Sequence, residues 1–178
     1  MEDSKIPSHI NNLALLCAAQ PPDLGSISRQ IKLLVELFND QEIFLLDGLT
    51  SKEYTCHLLV HLLDDVDLVN AKYLNKRAPE LVTKRSKAYS QVFSAVKELE
   101  QYAYDKALAI LEKELPASKT GEEDFANKLR EVLVWYLQHQ IVPKFISKSY
   151  SSIKARDLIA MMGNPKDGSL LVKLGMTD

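Results

Sequence analysis

His57 and His61 stand four residues apart, with Cys56 beside the first and Asp64 one helical turn beyond the second. Imidazole, thiolate and carboxylate groups at helical spacing are the donor types of a metal site. The metalloprotease arrangement, however, needs a glutamate directly after the first histidine, and Leu58 occupies that place. Two histidines flanking an apolar helix face is the reading the spacing favours. Cys56 and His57 are adjacent, so on a helix their side chains diverge, whereas a nucleophilic dyad must converge within hydrogen-bond reach. Cys17, among Leu15, Leu16 and Ala18, reads as a small core residue. The loop SKTG at 118–121 lacks the leading glycine and residue order of a phosphate loop. The acid pairs Asp64-Asp65 and Glu122-Glu123 suit helix caps and solvated faces. The expectation is a protein that is not an enzyme, with no metal site and no cofactor.

The elements that would position these residues are all helical. The stretch LLVHLLDDVDLVNAKYLNKRAP, 58–79, sets Leu58, Leu59, Leu62 and Leu63 at helical spacing, followed by a polar corner at Asp64-Asp65-Val66. Asp67 takes an N-cap position. Leu68, Ala71, Leu74 and Ala78 then share a face, and Pro79 ends the helix. An antiparallel hairpin is predicted, with small Ala71 allowing close approach. Upstream, a helix over 12–19 breaks at Pro21-Pro22, and Ile27, Ile31, Leu34, Val35 and Phe38 form an amphipathic stripe. Ile43 to Leu46 reads as the buried start of another helix or a packed turn. Thr50 or Ser51 caps the helix leading into the hairpin, with Glu53 in its first turn. Downstream come a basic patch (Lys84, Arg85, Lys87), two helices broken near 100–104, and a polar loop at 116–123. A helix then begins near Glu122 and must kink or end at Pro143. The region 152–174 reads as two short helices separated by Gly163-Asn164, in a helix-turn-helix arrangement. No segment alternates convincingly as a strand.

Composition excludes several classes. The 178 residues carry a net charge of −2, which disfavours a general affinity for phosphate backbones. Two cysteines give neither a disulfide framework nor a zinc spacing, pointing to a reducing compartment. The polar, acidic N-terminus lacks the features of a secretory signal, and no apolar run reaches the ~18 residues of a membrane span. The expectation is a soluble, intracellular chain.

Asn70, Ala71, Lys72, Tyr73, Leu74, Lys76, Arg77 and Pro79, together with Tyr150, Ser152, Ile153, Asp157, Leu158, Met162 and Gly163, resemble motifs of the PCI-domain family. These are helical-repeat plus winged-helix subunits shared by the proteasome lid, the COP9 signalosome and translation initiation factor three. The pattern is most similar to the branch formed by the smallest, eighth signalosome subunit, over 52–178. Asn75 stands where that branch usually has tryptophan. The family continues into two wing strands, and the branch adds a C-terminal helix; the sequence stops at Asp178 without either.

The resemblance implies an all-α fold: stacked helical hairpins over 1–120, then a helix-turn-helix or truncated winged-helix region over 121–178, together one PCI module. It implies a non-catalytic scaffold in the complex that removes a ubiquitin-like modifier from cullin-RING ligases, in cytoplasm and nucleus. The alternatives are a subunit of the proteasome lid or of initiation factor three, or a nucleic-acid-binding winged-helix protein. The last would need a strongly basic final helix, yet Lys166 and Lys173 lie beside Asp167 and Asp178. Partners are expected to be other PCI subunits and, indirectly, cullin ligases, with no membrane. The candidate interface residues are Leu170, Leu171 and Leu174 at the C-terminus and Lys72, Lys76 and Arg77, which extend the basic patch of Lys84, Arg85 and Lys87.

Overall fold

In the computed structural model, described for residues 5–44, 49–116, 124–149 and 154–162, the third helix is enclosed on every side. This helix, α3 (Ser51–Leu63), buries ten consecutive residues from Tyr54 to Leu63. Such burial requires neighbours all round. They are α2 (Leu24–Phe44), α4 (Leu68–Arg77), α5 (Glu80–Arg85), α6 (Lys87–Glu100) and α8 (Phe125–Tyr136). The enclosure places His57 and His61 inside the core, with 0% and 3% of their surface exposed, and not at the flank of an apolar face. The first helix, α1 (Lys5–Ala18), packs on α2 and α8, while α7 (Tyr104–Leu111) pairs with α6. The last two helices among the described residues are α9 (Val142–Ser149) and α10 (Ala155–Met161). The described residues are all-α, without a strand, and one apolar cluster runs continuously from Ile10 to Met162.

Local chemistry explains most boundaries. Thr50 caps α3 through a reciprocal box: its hydroxyl accepts from Glu53 N at 3.3 Å, and the Glu53 carboxylate accepts from Thr50 N at 2.6 Å. Asp67 caps α4, accepting from Asn70 N at 3.0 Å. The corner between them is left-handed at Asp65 (φ 50°) and Val66 (φ 57°), costly for a β-branched residue. The turn is secured by Val66 N donating to Leu62 O and Asp67 N to His61 O. It returns α4 against α3, with Ala71 and Leu74 fully buried. Pro79 ends α4 but also opens the short α5, anchored by buried Val82, where the sequence suggested only a basic patch.

Of the predicted α2 stripe, Ile27, Ile31, Leu34 and Phe38 are buried and Val35 is half-buried against them. Because α2 runs on to Phe44, Ile43 falls on its last turn with 74% exposure, not at the buried start of a new helix. Leu45 and Leu46 of that run lie outside the described residues. The break between α6 and α7 falls at 101–103, where Tyr102 adopts φ 57°. The helix begun at Phe125 ends as α8 at Tyr136, and Pro143 takes the second position of α9. A π turn over Leu137–Ile141 re-phases the backbone immediately before it, and the His139 ring donates to the Trp135 carbonyl at 2.8 Å. Of the predicted terminal helix pair, α10 forms, burying Leu158; the following helix, with Lys166 and Lys173, lies outside the described residues.

Candidate partner face and the polar core beneath it

The sequence singled out Lys72, Lys76 and Arg77, and α4 carries all three. Burial of Ala71 and Leu74 fixes its inner side, so Val69, Lys72, Tyr73 and Lys76 face outward at helical spacing. The three bases do not form one free cluster. Lys72 Nζ donates to Glu100 Oε1 of α6 at 2.6 Å. Arg77 makes a two-pronged ion pair with Glu42 of α2, Nε to Oε1 at 3.0 Å and Nη2 to Oε2 at 2.9 Å. These two cations tie α4 to its neighbours. Lys76 lies over the Tyr73 ring, 5.3 Å from its centroid. Leu170, Leu171 and Leu174 lie outside the described residues.

The Arg77–Glu42 pair roofs a polar pocket in the core. Below it, the His57 and His61 rings stack with centroids 4.6 Å apart, and Phe38 stacks on the far side of His57 at 5.5 Å. His57 Nε2 lies 3.2 Å from Asn39 Oδ1, so Nε2 carries the proton and donates. That leaves Nδ1 unprotonated, 3.8 Å from Glu42 Oε2 and without a hydrogen bond. Neither ring nitrogen of His61 has a partner, nor does the Tyr89 hydroxyl. Burial, assisted by neighbouring His61 and Arg77, pushes the His57 pKa down to about 3, and burial also depresses His61. Both imidazoles are therefore neutral at pH 7.

Stacked rings present their nitrogens side by side, not toward a common point. Among the described residues no group of three His, Cys, Asp or Glu side chains is arranged to hold a metal ion. Cys56 turns away from this pocket into a cleft of about 400 Å³ lined by Ile6, Ile10, Phe38 and Phe125. Burial raises its thiol to about 12 and that of half-buried Cys17 to about 11, so both are protonated at neutral pH. Of the acid pairs, Asp65 accepts from the Tyr136 hydroxyl at 3.1 Å and Asp64 terminates α3. The loop 118–121 and Glu122-Glu123 lie outside the described residues.

Sequence reasoning missed Arg130. It is 5% exposed on α8 and every guanidinium nitrogen donates: Nη1 to Leu111 O at 2.8 Å, Nε to Asn127 Oδ1 at 2.9 Å, and Nη2 to Glu131 Oε1 at 3.2 Å. Asn127 in turn bridges Leu115 N and O. This clamp fixes the C-terminal end of α7 to α8, where a cation complements the helix dipole. Only its place between Leu129 and Val132, on the apolar stripe of α8, hinted at it. No helix among the described residues is long and apolar enough to cross a membrane. No protein-family model matches the chain, and no curated protein matches it.

Proposed function

We propose that the chain is a non-catalytic scaffold subunit of the COP9 signalosome, supporting the complex that removes a ubiquitin-like modifier from cullin-RING ligases. The observation that carries this reading is the α3–α4 hairpin. Its PCI-like residues divide into those that pack inward, Ala71 and Leu74, and those displayed outward, Lys72, Tyr73 and Lys76. Stacked helices that bury one side against neighbours leave the other for partners, the physical basis of helical-repeat scaffolds. The neutral, internally stacked histidines and protonated cysteines also fit packing better than chemistry. The partners would be other PCI subunits, engaged through the basic side of α4 and the apolar C-terminal residues Leu170, Leu171 and Leu174. The setting would be cytoplasm and nucleus.

Affinity purification of the tagged chain from its own cells, with mass spectrometry of what accompanies it, tests this. Recovery of PCI subunits together with a His-x-His metalloprotease and cullins is the expected result. Proteasome-lid or initiation-factor subunits would move the chain to a sister complex. A monomer retaining nucleic acid at moderate salt would sink the scaffold reading. Charge substitutions at Leu171 and Leu174 that left partner recovery intact would remove the C-terminal interface.

A further inference from the structure

Three of the large apolar side chains exposed among the described residues, Val69, Tyr73 and Leu81, fall within 69–81, at 62%, 53% and 58% exposure. They sit on the outward sides of two consecutive helices, and on each an exposed aliphatic residue is followed three residues later by a lysine. On α4, Val69 is followed at three, four and seven residues by Lys72, Tyr73 and Lys76; on α5, Leu81 is followed at three and four by Lys84 and Arg85. The inward residues are different ones: Ala71, Leu74 and Val82. Residues 69–87 hold six bases against Glu80 alone, a net +5 within a chain of net −2. Three carboxylates already answer part of that charge, with Glu100 on Lys72, Glu42 on Arg77 and Glu80 on Lys84. The six bases still outnumber these carboxylates by three. The result is a set of isolated, exposed apolar side chains on two consecutive helices, within a segment of excess positive charge.

From this arrangement we infer that the outward sides of α4 and α5 dock an amphipathic helix of a partner protein whose apolar stripe is bordered by Asp and Glu. Val69 and Tyr73 are one turn apart, about 6 Å along the axis, which matches apolar residues at i and i+4 on a facing helix. Excess lysine and arginine in this segment selects acidic flanks and steers encounter. Nucleic acid fits less well. Val69 and Leu81 offer nothing to a phosphate backbone, and Lys72 and Arg77 are already held by carboxylates. The inference rests on the scaffold reading in taking a neighbouring subunit as the partner.

The test places a photoreactive amino acid at Tyr73 in the full chain, with Leu15 of α1 as an exposed control, followed by cross-linking in cells and sequencing of the attached peptide. The expected product at Tyr73 is one partner segment with helical apolar spacing and flanking acids, absent from the Leu15 product. Its yield should fall at least tenfold in the K76E/R85E double variant, and also in K76Q/R85Q if charge reversal harms folding. No adduct, an adduct with nucleic acid or lipid, a peptide without acids, or an unchanged yield in both variants overturns the inference. Signalosome subunits that co-purify normally with K76E/R85E and give no Tyr73 adduct would remove this face but leave the scaffold reading. An acidic helix captured at Tyr73 with no signalosome subunit present would do the reverse.

Discussion

Among the described residues, two buried polar clusters are built in opposite ways. At the α7–α8 junction, Arg130 enters the core with every nitrogen hydrogen-bonded and its cation set against the C-terminal carbonyls of α7. At the α2–α3–α4 junction, His57 and His61 enter the core neutral; His57 alone makes a hydrogen bond, to Asn39, and three ring nitrogens are left without partners. A buried polar group that is bonded stabilises modestly, while an orphaned one costs about 1–3 kcal/mol. The first cluster is a clamp. The second is a weak point, tolerated because stacked aromatic rings fill the volume and the Glu42–Arg77 pair closes the top.

Arg130→Met keeps volume but strips the Leu111 and Glu112 carbonyls and Asn127 of their donor. A loss of about 3 kcal/mol is expected, read as a lowered denaturation midpoint in urea with unchanged slope. Acid should strike the other cluster. The His57 pKa is lower in the folded chain (about 3) than in the unfolded one (6.5), so below pH 6.5 the unfolded state takes up the proton first. Stability is then fully present above pH 6.5 and falls as pH drops toward 3. The slope approaches about 1.4 kcal/mol per pH unit for His57, with His61 adding in the same direction. His57 alone would remove about 2 kcal/mol between pH 6.5 and 5; urea titrations across that window measure it.

A gain is expected from His61→Leu, which removes two orphaned nitrogens while filling similar space. Stability at pH 7 should rise by about 1 kcal/mol, and the acid slope should become shallower. A loss at pH 7 with an unchanged slope would mean that His61 has partners in solution. The smallest effect concerns Cys56, whose thiol faces a cleft away from both clusters. In the native chain at pH 8 it should react with a disulfide reagent much more slowly than in urea, and its replacement by Ala should leave the acid slope untouched.

Much of the framework was legible because it depends on local rules. The α2 stripe, the caps at Thr50 and Asp67, the corner at Asp64–Val66 and the break near 100–104 follow from periodicity and side-chain chemistry within a few residues. What was not legible depends on distant parts of the chain. Periodicity assigned His57 and His61 to the border of an apolar face, but enclosure of α3 by five helices left no border. Nothing near Arg130 in sequence announces the α7 carbonyls it binds 18 and 19 residues upstream. Six-residue α5 depends on one buried side chain, Val82, too little for a periodic signal. Lys72 and Arg77 were visible as bases, but their carboxylate partners lie 28 and 35 residues away, so the pairing of these two was not legible.

The most direct test of the scaffold account is the fraction of cullin carrying its ubiquitin-like modifier in cells depleted of this chain. The account predicts accumulation of modified cullin on depletion and its reversal on re-expression of the wild-type chain. Cullin modification that stays unchanged, with depletion verified, would contradict it.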